Sequence, residues 1–73
     1  METIGNRAAR EITRRAFQNG IAPYKEAEKF GADSAKLSNW RSKFDPSAYY
    51  LKRMALAGYD VIYILTGERN GKV

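Results

Sequence analysis

Between Pro23 and Lys43 the sequence PYKEAEKFGADSAKLSNWRSK sets one glycine, Gly31, between two short helix-forming runs. No other feature constrains the fold as strongly. Pro23 suits the first position of a helix, where a missing N–H costs nothing, and YKEAEKF holds helix formers without a β-branched residue. Tyr24, Ala27 and Phe30 fall three apart and therefore share one face. Gly31 ends that run, because glycine closes a helix in the left-handed conformation without a Cβ penalty. Asp33 caps a second helix, whose apolar contacts are Leu37 and Trp40. Two short helices joined by a tight turn at glycine form a helix-turn-helix unit.

The flanking segments are also helical in pattern. Thr3 caps a first helix that runs to about Asn19, with Gly20 as its stop. Steps of about 100° put Ile4, Ala8, Ile12 and Ala16 on one side and Arg7, Arg10 and Arg14 nearly opposite. Ile21 sits just ahead of the second helix as a hydrophobic staple. After the central pair, Phe44 to Ser47 is a loop in which Asp45 caps a fourth helix and Pro46 takes its first position. That helix buries Tyr50, Leu51, Met54 and Ala55, turns Lys52 and Arg53 towards solvent, and closes at Gly58. The segment from Val61 to Leu65 has the β-branched and aromatic content of a strand. Asp60 as cap, Gly67 as stop and the lack of a second strand signal favour a short buried helix instead. The expected fold is all-α, a compact five-helix domain over residues 1–67, followed by a flexible tail or the start of a linker over 68–73.

A chain of 73 residues without cysteine or histidine is one domain that must hold together by packing alone. The usual zinc sites and the commonest general base are missing with those residues. The eight acidic residues form no pair with an evident acid–base role, and no glycine-rich phosphate loop, metal spacing or nucleophile motif occurs. No enzyme activity, cofactor, metal or small-molecule substrate is therefore expected. A formal net charge of +5 and a pI near 9.8 favour an anionic partner, nucleic acid first and an anionic membrane surface second. The longest apolar run, Val61 to Leu65, is too short to span a bilayer, and METIGNRAAREI has no apolar core for a signal peptide. The expected location is the cytoplasm of a bacterial host, at the nucleoid.

Two stretches carry a family resemblance. In the first, the small residue of the first helix falls on Ala27, the apolar residue before the turn on Phe30 and the turn glycine on Gly31. Ala32 follows the turn, and Leu37 and Trp40 are the apolar pair of the second helix. This pattern resembles the helix-turn-helix of phage repressors. In the second, ALAGYDVIYILTGER, from Ala55 to Arg69, closely resembles the signature that closes the DNA-binding domain of CI-type phage repressors. The chain departs from the family at Glu26, where an aliphatic residue is preferred, at Pro23-Tyr24, which replaces a start carrying Gln, and at Asp33, which replaces Ser. The resemblance implies a lambda-repressor-like fold with Val61 to Thr66 helical. It also implies operator binding, repression by blocking polymerase, and a linker beginning near Glu68.

A helix that reads the major groove needs small, hydrogen-bonding side chains near its N-terminus. Ser34, Ala35, Ser38 and Asn39 are the candidate base contacts: Asn39 can pair bidentately with adenine, and the Ala35 methyl can meet a thymine methyl. Arg7, Arg10, Arg14, Lys36, Arg41, Ser42 and Lys43 are the candidate phosphate contacts. Trp40 is expected in the core by its spacing from Leu37, and Tyr49, Tyr50, Tyr59 and Tyr63 in the core or an interface. The partners expected are double-stranded DNA and a second copy of the chain, through the apolar VIYIL segment, with half-sites about 34 Å apart in a pseudo-palindromic operator. A Cro-like regulator or an activator would use the same reading head. The rival of another class is a protein-interaction module, an antirepressor or adaptor, favoured by Glu26, Glu28 and Asp33 near the reading helix.

Overall fold

The computed structural model describes residues 2–69 and is all-α. Its five helices are α1 (Ile4–Asn19), α2 (Pro23–Glu28), α3 (Ser34–Ser42), α4 (Ala48–Leu56) and α5 (Val61–Thr66), with no strand among the described residues.

The long α1 is the element on which α2, α3 and α5 pack. A reciprocal pair of hydrogen bonds starts it: Thr3 Oγ1 accepts from the Asn6 amide at 3.0 Å and Asn6 Oδ1 accepts from the Thr3 amide at 3.1 Å. Ala8, Ile12 and Ala16 are fully buried, as their spacing requires, and Ile4 packs at the edge of the same core. Phe30, Leu37, Trp40, Met54, Tyr59 and Ile64 complete that core from the other helices. Contact between α1 and the end of α3 is close enough that a Cβ on Gly5 would stand 2.2 Å from the Phe44 carbonyl oxygen.

Four helices end on side chains from other parts of the chain. The last carbonyls of a helix lack partners and carry the negative end of its dipole, so buried ends need donors. Asn6 Nδ2 donates to Arg41 O at 2.8 Å at the end of α3. Arg7 Nε donates to Ile64 O at 2.8 Å on α5. Arg15 Nη1 donates to Ala57 O at 2.9 Å just past α4. Arg53 Nε donates to Phe30 O at 2.7 Å just past α2. Three of these ends thus receive their donors from α1.

Between α2 and α3 the Ala32 amide reaches back to Ala27 O at 3.1 Å, and Gly31, at φ 89°, makes the left-handed step of that turn. Asp33 caps α3 by accepting from the Lys36 amide at 2.9 Å, and Asp60 caps α5 by accepting from the Tyr63 amide at 3.0 Å.

Several local expectations are corrected. Asp45 is not the cap of α4, which starts at Ala48 after Ser47. Its carboxylate instead accepts from the Gly5 amide at 2.8 Å, one of the unpaired donors at the start of α1, and Pro46 is buried outside the helix. On α2 the inward residues are Ala27 and Glu26, whereas Tyr24 is 45% exposed. Ala55 is exposed rather than packed in the core, and Tyr49, expected in the core or an interface, is 59% exposed. α5 is not buried all round: Ile64 is inside while Ile62 and Leu65 face outwards. Of the tail expected to be loose, Asn70 to Val73 lie outside the described residues, and Arg69 is held against the body by Glu11 at 3.1 Å.

Candidate nucleic-acid interface

The outer face of α3 is the polar, open face of the α2–α3 pair. Leu37 and Trp40 turn inward at 3% and 4% exposure, and this fixes the helix rotation. Ser34, Ala35, Ser38 and Asn39 are in consequence all exposed, as are Arg41, Ser42 and Lys43, and Lys36 is half-buried on the α4 side. Trp40 stacks edge-on against Tyr50 at 5.5 Å between ring centroids, and Lys36 Nζ lies 5.4 Å from the Tyr50 ring centre.

The side chains of Ser34, Ser38 and Asn39 form no hydrogen bond within the described residues, so their donors and acceptors point to solvent. Ser42 differs: its hydroxyl donates within α3, to Ser38 O at 3.2 Å and Asn39 O at 3.3 Å, which leaves acceptor lone pairs that a phosphate cannot use. Among the described residues no carboxylate lies at ion-pairing distance from Lys36, Arg41 or Lys43.

The basic face of α1 divides into different roles. Arg7 is largely enclosed, its side chain only 12% exposed, and it is committed to the α5 carbonyls of Ile64 and Leu65. Arg10 pairs with Glu2 and with the Tyr63 hydroxyl, and these hydrogen bonds raise its pKa further. Arg14 Nη2 pairs with Glu11 at 2.7 Å. Arg10 and Arg14 remain half exposed and reachable by a ligand, whereas Arg7 acts inside the fold.

Two carboxylates are buried in the body. Glu26, 2% exposed, accepts from the Tyr59 hydroxyl at 2.6 Å and from Asn19 Nδ2 at 3.3 Å, and pairs with Lys29 Nζ at 3.1 Å. Burial acts to raise its pKa, but the hydrogen bonds from Tyr59, Lys29 and Asn19 outweigh it and hold the carboxyl below its ordinary value. Burial and then the Glu26 carboxylate push the Tyr59 hydroxyl well above the usual tyrosine range, so it stays a donor. Glu11 behaves likewise, burial being outweighed by Arg14 and Arg69.

Sequence reasoning passed over Thr13, which accepts from Arg41 Nη2 at 3.2 Å, and Asn6, which reaches the end of α3. Their positions on α1, beside its arginines, were visible, but the α1–α3 contact that gives them a role was not. Among the described residues no group of acidic or histidine side chains is arranged to hold a metal ion, and no helix is long and apolar enough to cross a membrane. Comparisons with protein-family models, curated proteins and solved structures give no match to this chain.

Proposed function

We propose that this chain is a sequence-specific double-stranded DNA-binding protein that acts as a phage-type transcriptional repressor, with α2 and α3 as its helix-turn-helix. α3 enters the major groove, Ser34, Ala35, Ser38 and Asn39 face base edges, and Lys36, Arg41 and Lys43 hold the backbone. The observation that carries this reading is the exposed α3 face, where the Ser34, Ser38 and Asn39 side chains are uncommitted and the flanking cations have no carboxylate partner among the described residues. A solvated face needs no such arrangement. A groove-reading face needs free donors and unneutralised charge.

The interaction-module reading loses part of its basis, because Glu26 is an internal hydrogen-bond acceptor rather than surface charge and Asp33 is engaged as the α3 cap. Exposed Ile62 and Leu65 on α5 give a second copy an apolar face, which suits a two-fold related operator. Repression follows from occupying a promoter and requires no chemistry from the protein.

Selection from a randomised duplex pool tests the reading. A two-fold related motif should be enriched, and Asn39→Ala and Ser38→Ala should each lower affinity for it by about 1–3 kcal/mol while relaxing discrimination at one position. Folded variants that keep full affinity and discrimination would remove α3 as the reading helix. Salt-sensitive binding without an enriched motif would leave a basic surface only.

A further inference from the structure

An open cleft of about 300 Å³ lies between α1 and α3, lined by Asn6, Ala9, Arg10, Thr13 and Arg41. Its walls carry an arginine from each of two helices, Arg10 and Arg41, beside the Thr13 hydroxyl, and the Arg10 guanidinium also donates to the Tyr63 hydroxyl. Thr13 Oγ1 accepts from Arg41 Nη2 at 3.2 Å, which leaves the Thr13 hydroxyl proton to donate to a third group. Asn6 is committed to the carbonyl of Arg41, and Ala9, 2% exposed, gives the cleft an apolar floor. Among the described residues the carboxylate paired with a lining arginine is that of Glu2, which bonds Arg10 and lies 3.7 Å from Arg7. Glu2 sits before the first helical residue with its side chain 37% exposed, so it can release Arg10 without disturbing the core.

We propose that this cleft binds a single phosphate group through Arg10, Arg41 and Thr13, and that Glu2 competes for Arg10 in the free protein as a displaceable counter-ion. Two forked guanidinium groups and a hydroxyl match the tetrahedral oxygens of phosphate better than one carboxylate does. The phosphate is a backbone phosphodiester of a bound duplex, and that choice of source rests on the DNA-binding reading above: Arg41 lies on the helix assigned to the groove. Entry of the duplex then exchanges Glu2 for phosphate on Arg10, so Glu2 tunes backbone affinity without touching α3.

The test is an NMR titration of the intact chain, with nitrogen-15 labelling, against inorganic phosphate and separately against a short random-sequence duplex. The Nε–H signals of Arg10 and Arg41 and the Thr13 amide should move saturably. Thr13→Val should weaken binding about fivefold and Glu2→Gln should tighten it about fivefold, in line with hydrogen bonds to charged groups. Glu28→Gln makes the same change of net charge on an exposed part of α2 and should have little effect. Duplex binding that leaves the three cleft signals and both variants unaffected overturns the proposal while the DNA reading stands. Saturable movement with phosphate but no duplex binding supports the cleft, makes free phosphate its source and removes the DNA reading. No movement with phosphate and no binding of the duplex overturns both.

Discussion

The Tyr59 hydroxyl donates to a Glu26 carboxylate oxygen at 2.6 Å, joining the segment before α5 to α2 through a contact with both residues buried. Asn19 and Lys29 supply the remaining donors. Removing one donor leaves a buried charge short of a partner, whereas replacing both residues with apolar groups removes the need for one.

Tyr59→Phe should therefore lower stability by about 2 kcal/mol. In a domain of this size that corresponds to a fall in Tm of roughly 8–16 °C. The double variant Glu26→Leu with Tyr59→Phe should recover most of that loss. Thermal unfolding followed by circular dichroism measures both. A single variant as stable as the parent would mean that the Tyr59–Glu26 bond contributes nothing net.

The same carboxylates set the response to acid. Glu26 and Glu11 have folded-state pKa values below their ordinary 4.5. Their contribution to stability is thus fully present above that value and is lost as pH falls through the folded-state values. The parent should lose stability steeply below about pH 4.5, because the unfolded chain binds protons that the folded chain refuses. Glu26→Gln should be less stable at neutral pH yet show a shallower acid decline. Urea midpoints across the acid range decide it, and parallel curves for parent and variant would refute the assignment.

Gly5 and Gly20 make opposite demands on the chain. A methyl on Gly5 would stand 2.2 Å from Phe44 O and 2.6 Å from Trp40 O, so α1 and the end of α3 would have to separate. Gly20 has a φ of 69° but open space around it, so alanine there meets only backbone strain. Gly5→Ala should cost about 3 kcal/mol or more, or prevent folding, by the overpacking it imposes. Gly20→Ala should cost roughly 1–2 kcal/mol, the left-handed penalty of an L-residue. Equal losses in the two variants would contradict the close approach of α1 and α3.

These cases mark what the sequence made legible. Where a signal lies within one turn, sequence reading and structure agree: Thr3, Asp33 and Asp60 cap their helices, and Leu37 with Trp40 sets the rotation of α3 and so the exposure of Ser34, Ser38 and Asn39. Where the partner is far along the chain, local rules fail. Asp45 has the look of a cap for the helix that follows it, but its donor is Gly5. Glu26 is polar by type and internal by position because Tyr59 meets it. Arg7 belongs by helical periodicity to an outer basic face, yet the end of α5 lies against that part of α1 and takes its guanidinium. A count of basic residues thus overstates the charge available to a partner.

That distinction separates two sorts of arginine and lysine experimentally. Arg7 donates to Ile64 O and Leu65 O, and its guanidinium also lies 3.4 Å from the position of a Cβ on Gly67, so its loss opens the α1–α5 contact. Lys43 is exposed, sits just past α3 and has no carboxylate partner among the described residues. Arg7→Met should lower stability by about 1–3 kcal/mol through unpaired carbonyls. For the folded fraction it should leave the salt dependence of duplex binding unchanged. Lys43→Met should leave the unfolding midpoint within about 0.5 kcal/mol. It should weaken binding to all duplexes alike and reduce the log–log salt slope by about 0.9, the release associated with one phosphate contact. Titrations at several salt concentrations, paired with denaturant unfolding of the same preparations, separate the two effects. A reduced salt slope for Arg7→Met with unchanged stability would return Arg7 to the DNA-facing set and assign its α5 hydrogen bonds no structural weight.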